Sequence, residues 1–347
     1  MLDHGADVSF ADKDGITALW AACERRQTSL AALLLRAGAD VGVADIDGQT
    51  PLLRAIVAGS LPLVDMLLRA GADPNGVDDA GRTPLMAAAS HGQLSRAHGS
   101  RRRRLTSDEL DESERSPPGI WLAPLRALGY GSPPGAYPKI TALLLCAGAD
   151  ARATLPQQQW LSEWSVLHYA IDNRDEAIVQ QLLDAGADAN VQRHTTGTLL
   201  HAAVSLNCAS VARLLLERGA DVSACIPNTG ATPLHSAAER SAGEAAALLL
   251  AHGADVDSRD ADGRTPLMFA AKGTDLRTVG ALLQAGADIA AMDERGRTAL
   301  GKAGFKAAAQ AGAEPLPVGW ATPEVFAAVI GLLRTWTQVR PPFSARV

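Results

Sequence analysis

Apolar residues along this chain fall in short blocks, and the blocks return at a nearly constant interval. One kind is a run of small residues, as in Leu85-Met86-Ala87-Ala88-Ala89. The other holds a leucine triplet, at Leu33–Leu35, Leu143–Leu145, Leu214–Leu216 and Leu248–Leu250. Blocks this short predict pairs of helices rather than one long amphipathic helix, with small side chains that let each pack on both neighbours. Between the pairs the tripeptide Gly-Ala-Asp recurs, starting at Gly5, Gly38, Gly71, Gly148, Gly186, Gly219, Gly253 and Gly286, in steps of 33, 33, 77, 38, 33, 34 and 33 residues. Ten residues after most of these aspartates comes a second motif. It reads Thr17-Ala18-Leu19, Thr50-Pro51-Leu52, Thr83-Pro84-Leu85, Ser165-Val166-Leu167, Thr198-Leu199-Leu200, Thr232-Pro233-Leu234, Thr265-Pro266-Leu267 and Thr298-Ala299-Leu300.

Both motifs have a local physical role. Threonine before a helix accepts orphan backbone N–H groups, and proline after it fits the first turn, where no N–H is required. The glycine of Gly-Ala-Asp sits where a helix needs a left-handed residue to stop. Asp14-Gly15, Asp47-Gly48 and Asp262-Gly263 mark a turn between repeats. One such unit cannot bury its own apolar face, but a stack of eight can.

Two motifs recurring in phase resemble the ankyrin family over most of the chain, one insertion and the tail excepted. The resemblance implies an all-α ankyrin-repeat solenoid of about eight helix-turn-helix repeats with β-turn fingers, stacked into a curved array. The expected organisation is repeats 1 to 3 (first half) over 1–92, an insertion over 93–138, the rest of repeat 3 through repeat 8 over 139–310, and a capping helix and tail over 311–347.

Four places depart from the pattern. Met1–Asp7 reads as the last turn of a helix whose own repeat is missing. Either the chain is a piece of a longer one, or the exposed face packs on something else. The 77-residue step places Leu94–Pro138 between the two helices of the third repeat, the second of them expected from about Lys139-Ile140. This segment holds Arg101–Arg104, the acidic Asp108–Glu114, and the pairs Pro117-Pro118 and Pro133-Pro134, a composition that reads as disordered. It is either a tolerated insertion or a regulatory loop. Thr106 follows a basic run and Ser116 precedes proline, so both are candidate phosphorylation sites, and the arginines resemble a nuclear-import signal. The third departure is the longer finger from Asp150 to Ser165, with Trp160 and Trp164 either pinned inside or held out as anchors. The fourth is Val325–Trp336, a helix expected to close the stack or, in the other reading, to bind a partner.

Charge and composition then narrow the function. The net charge of −6 and pI near 5.8 give no general attraction to nucleic acid or anionic lipid. No apolar run is long enough to span a bilayer, and no signal peptide is visible. Cys23, Cys146, Cys208 and Cys225 share no CxxC spacing and are expected as reduced, buried thiols of a cytosolic or nuclear protein. His168, His201 and His235 recur at one repeat position, directly after the leucine of the second motif. The resemblance implies that this histidine hydrogen-bonds between neighbouring repeats. His4 and His252 precede glycine at helix ends. No HExxH, zinc spacing, GxxxxGK[ST] loop or GxSxG elbow occurs, so no catalytic residue, metal or cofactor is expected.

Ankyrin-family proteins bind partners along the finger tips and the inner-helix face. Carried over position by position, the resemblance names Lys13, Asp14, Ile16, Glu24, Arg25, Ile46, Asp47, Gln49, Val57, Asp79, Arg82, Ser90 and His91. The middle of the chain adds Trp160, Trp164, Asp172, Asn173, His194, Thr195 and Ser205. Farther along come Asn228, Thr229, Glu239, Arg240, Asp262, Arg264, Lys272, Glu294, Arg295 and Arg297. The expected function is an intracellular scaffold or adaptor that binds another protein, monomeric or part of a longer chain, without direct nucleic-acid contact. The alternative is substrate recognition for a ubiquitin ligase, or a signalling or transcription regulator switched by phosphorylation of the insertion.

Overall fold

The computed structural model describes residues 7–91, 135–155, 164–193, 196–273, 275–302, 331 and 335. The expectations for Met1–Ala6, the insertion up to 134 with Thr106 and Ser116, Trp160, His194, Thr195 and most of Val325–Trp336 lie outside the described residues. The chain divides after Ala187 into two compact units.

The first unit holds α1 (Ala18–Glu24), α2 (Thr28–Arg36), α3 (Pro51–Val57), α4 (Leu61–Arg69), α5 (Pro84–Ala89), α6 (Ala136–Cys146), α7 (Val166–Asp172) and α8 (Glu176–Asp184). Their starts are written locally. The hydroxyls of Thr17, Thr50 and Thr83 accept from the N–H of Trp20, Leu53 and Met86 at 3.1, 3.3 and 3.2 Å, and Pro51 and Pro84 open α3 and α5. Their stops are written too. At the end of α2, Gly38 takes φ +84°, and the Ala39 N–H reaches back to the Leu34 carbonyl at 3.0 Å.

Odd-numbered helices pack in series, α1 on α3 on α5 on α7, and even-numbered ones likewise, α2 on α4 on α6 on α8. The core between the rows is Leu19, Leu52, Leu63, Leu67, Leu85, Ile140 and Leu144, each essentially solvent-free. Each such side chain contributes about 1.5–3 kcal/mol by leaving water. Ala87, Ala88 and Ala89 are buried, which is how so short a helix as α5 packs on two neighbours. The helix α6 packs against α5, though 136 is far from 89 in sequence. It begins at Ala136 rather than near Lys139, because Pro138 falls in its first turn, where no intrahelical N–H is needed.

The second unit holds the antiparallel pair β1 (Gln192–Arg193) and β2 (Gly197–Thr198), then α9 (Leu199–Ser205), α10 (Ala209–Glu217), α11 (Pro233–Glu239), α12 (Gly243–Ala251), α13 (Pro266–Gly273) and α14 (Leu276–Gln284). Again the rows pack in series, α9 on α11 on α13 and α10 on α12 on α14. Both units are therefore all-α stacks of helix pairs with hairpin fingers. Among the described residues no helix is long and apolar enough to cross a membrane.

The cysteines correct one expectation. Cys23 is buried, and burial raises its thiol to about 12, but Cys146 and Cys225 are exposed and Cys208 is partly so. The latter three lie at or beyond helix ends or in a finger, where the repeat leaves its surface to solvent.

Candidate functional site

The fingers are built around a residue that the sequence pattern hid among other aspartates. Five turns read Asp-x-x-Gly-x, opening at Asp12, Asp45, Asp78, Asp260 and Asp293. In each, one carboxylate oxygen accepts from the N–H two residues on and four residues on. For Asp45 these are Asp47 and Gln49 at 3.0 and 2.8 Å, and for Asp260 they are Asp262 and Arg264 at 3.0 and 2.8 Å. The turn glycine supplies the left-handed residue, with φ +74° at Gly48. A side chain there would also meet the Asp79 backbone N at 2.6 Å. The signal was present as an aspartate recurring three residues before each of these glycines.

The second carboxylate oxygen binds side chains. Asp78 accepts from Arg82 at 2.6 Å and from the Gln49 amide of the preceding finger at 2.6 Å. Arg264 pairs with Asp260 at 2.7 Å, and Asp293 pairs with Arg297 at 2.9 Å and Lys302 at 3.0 Å. Burial alone would raise the Asp293 carboxyl, but the N–H and guanidinium of Arg297 and the Lys302 ammonium hold it well below the usual carboxylate range.

Successive fingers are joined by main-chain bonds. In the first unit the Ile46 N–H donates to the Asp14 carbonyl at 3.0 Å, and the Asp79 N–H to the Asp47 carbonyl at 3.2 Å. In the second, Ala261 donates to Thr229 at 2.8 Å and Glu294 to Asp262 at 3.1 Å. Each unit thus presents its tips as a row of fixed spacing.

Three turns lack the aspartate and close otherwise. The imidazole Nδ1 of His168, His201 and His235 accepts the N–H of Ser165, Thr198 and Thr232, each at 3.1 Å. The Nε2–H of His201 and His235 then donates to the carbonyls of Ala231 (3.0 Å) and Arg264 (2.9 Å) in the next finger. The bond between repeats that the family implies is thus present at His201 and His235. An acceptor Nδ1 beside a donor Nε2 requires a neutral ring. Burial pushes His201 down to about 4, against the opposing pull of the Ala231 carbonyl, and burial likewise lowers His235. The Nδ1 of His252 instead donates to the Leu248 carbonyl at 2.9 Å, closing a helix end.

The residues named from the family pattern fall into three groups. Lys13, Glu24, Arg25, Ile46, Asp79, Asp172, Asn228, Thr229, Glu239, Arg240, Asp262, Lys272, Glu294, Arg295 and Arg297 are exposed. Asp14, Ile16, Asp47, Val57, Arg82, His91, Asn173, Ser205 and Arg264 are partly so. Of these, Arg82 and Arg264 are held by finger carboxylates, His91 bonds Asp175 at 2.9 Å and stacks on Tyr137 at 5.0 Å, and Asn173 donates to the Ala89 carbonyl at 3.0 Å.

Gln49 and Ser90 are buried, which differs from the expected surface placement, and Trp164 is buried as in the first of its two readings. Gln49 links two fingers, and the Ser90 hydroxyl donates to the Ala87 carbonyl at 3.0 Å. Trp164, 7% exposed, lies 5.1 Å from Tyr169 and 5.8 Å from His168, so it is pinned against α7.

Elsewhere a groove of about 490 Å³ runs between α4 and α6, lined by Leu61, Pro62, Asp65, Lys139, Ala142, Leu143 and Cys146. Among the described residues no cluster of three or more His, Cys, Asp or Glu is arranged to hold a metal ion.

A family model described as ankyrin repeats, in three copies, matches residues 1–78, 37–97, 135–226 and 224–293. The chain is similar to the B-cell lymphoma 3 protein homolog of Mus musculus, 34% identical over 100 residues, which are 28% of this chain and 21% of that protein. The B-cell lymphoma 3 protein of Homo sapiens is 33% identical over 100 residues, with the same shares. The Neurogenic locus Notch protein of Drosophila melanogaster is 39% identical over 90 residues, 26% of this chain and 3% of that protein. The match spans about a fifth of the length of the first two relatives.

Proposed function

The chain belongs to the ankyrin-repeat family, and from that premise we propose that it is an intracellular scaffold or adaptor that docks another protein on its finger tips and inner-helix turns. One observation carries the reading. The fingers are locked through their backbone and base carboxylates, while tip side chains such as Lys13, Ile46, Asp79 and Glu294 stay exposed. A row held rigid before binding loses little entropy on association, which is the property an interaction surface needs. The exposed residues at the inner-helix ends, Glu24 and Arg25 in the first unit and Glu239 and Arg240 in the second, extend each surface away from the fingers.

The test compares partners captured by the intact chain with those captured by a Glu24→Ala/Arg25→Ala/Glu239→Ala/Arg240→Ala variant. Each side chain is exposed, so the unfolding midpoint should stay within a degree or so while bound proteins are lost. An unchanged set of partners on this variant and on fingertip variants would sink the reading.

A further inference from the structure

We propose that the fingers of the first unit select an extended polypeptide segment that carries a basic side chain at about every third position with an apolar one between. The inference rests on the reading of the fingers as a protein-binding surface and names what that surface takes.

The first observation is charge left unused. Asp14, Asp47 and Asp79 stand at three successive tips, and among the described residues none forms an ion pair. In the second and third fingers the carboxylates one step inward differ, since Asp45 pairs with Arg54 and Asp78 with Arg82. Lys13 is the exposed base of this row, against three tip carboxylates. In the second unit the Asp262 carboxylate is already met by Arg264 at 2.9 Å, and Arg295 and Arg297 stand exposed beside Glu294. A basic segment is therefore directed to the first unit and not to the second.

The second observation is apolar surface on the same fingers. Phe10, Ile46 and Val77 are 70%, 56% and 56% exposed, one on each finger that carries a tip carboxylate. Aliphatic and aromatic side chains this open, placed beside charges, suit a partner that brings both kinds of group. Packed helices lie about 8–10 Å apart, so the tips recur at about that interval. A chain in the extended polyproline-II form rises about 3.1 Å per residue and turns once in three, so it covers the interval and returns the same face in about three residues. The segment that fits carries a base at about every third position, with an apolar residue between.

Binding of short fluorescent peptides to the intact chain tests this. A peptide of repeated Lys-Val-Ser should bind and weaken as salt rises. Repeated Glu-Val-Ser, Lys-Ser-Ser and Lys-Val, the last with the wrong spacing, should each bind less well. The Asp14→Asn/Asp47→Asn/Asp79→Asn variant should lose about tenfold in affinity for Lys-Val-Ser, as three part-exposed ion pairs allow. An Ile46→Ser/Val77→Ser variant should lose a similar factor. Equal binding of Glu-Val-Ser, or an unchanged affinity in the Asn variant, overturns the proposal. If captured native partners still depend on the exposed finger and inner-helix residues, only the chemistry assigned to the partner has failed. If they do not, the docking surface itself has failed with it.

Discussion

Two kinds of finger hold this protein together. The turns opened by Asp12, Asp45, Asp78, Asp260 and Asp293 close on a charged carboxylate that gathers the N–H groups of its own loop. The repeats in the middle of the chain have Leu155, Arg193 and Ile226 at that position, and they carry His168, His201 and His235 at the third residue after the helix cap. Where the aspartate is present, that helix position holds Trp20, Leu53, Met86, Met268 or Gly301 instead. One device or the other is present in every repeat, and never both. The two devices gather different N–H groups of the finger, the carboxylate those two and four residues on and the neutral imidazole that of the helix cap. The two solutions differ in how they fail. The carboxylate hubs at Asp45, Asp78, Asp260 and Asp293 are bound to guanidinium groups, whereas the histidine depends on remaining uncharged.

The hub should be the costlier to remove. Asp78→Ala would orphan the N–H groups of Ala80 and Arg82, the Gln49 amide and the Arg82 guanidinium together. Loss of a buried charged partner of this kind costs about 3–5 kcal/mol. Urea unfolding of the intact chain, with hydrogen exchange to place the loss at the third finger, checks this. A cost below that of any histidine substitution would refute the ranking.

Acidification should separate the two kinds without any mutation. His201 binds a proton in the unfolded chain near its ordinary 6.5, but in the folded chain only near about 4. The unfolded state therefore takes up more protons between those values, and stability falls as pH drops through that window, by up to about 3 kcal/mol for this residue alone. The Asp293 carboxyl is depressed when folded, so its contribution is complete above the ordinary carboxylate value and is lost only below about pH 4. Hydrogen exchange from pH 7 to 4.5 should loosen α9 and α11 while the first finger bases of the chain keep their protection. Uniform loosening of the Asp-based and His-based fingers would break the comparison.

His201→Ala comes next, at about 2 kcal/mol, since it leaves the Thr198 N–H and the Ala231 carbonyl without their partner and opens space beside Ile226. The same substitution should shrink the pH response to the part that His235 still supplies.

How much of this was legible beforehand follows from what repeats in phase. The helix pairs, their threonine caps, the Gly-Ala-Asp stops and the inter-repeat histidine bond each depend on a residue type recurring at a fixed position. The finger aspartates recur as well, but Asp14, Asp47 and Asp262 stand beside the glycine of the same turns, so spacing alone does not separate tip from base. Burial was the harder property. Gln49 and Ser90 occupy positions at which other repeats of this chain present exposed side chains, such as Arg297 and Arg25, and only packing shows that these two point inward. For Trp164, Leu155 N–H bonding to its carbonyl at 2.9 Å holds the finger base closed and turns the indole onto Tyr169, which spacing alone does not reveal.

The smallest expected effect tests whether support and recognition are separate within one finger. Asp47 and Asp79 lie within two residues of the hubs Asp45 and Asp78, and their backbone N–H groups take part in finger closure or pairing, yet their carboxylates form no ion pair. Asp47→Asn/Asp79→Asn removes charge and keeps every backbone bond, so stability should change by less than about 0.5 kcal/mol. Nearby carboxylates repel one another, so any change should be toward higher stability at low salt, and it should vanish as salt screens the charges. A loss of more than about 1 kcal/mol would mean that the tip carboxylates belong to the hub's hydrogen-bond system. The base and the tip of each finger would then be one structural device, and residues at the tips would not be free to vary for a partner.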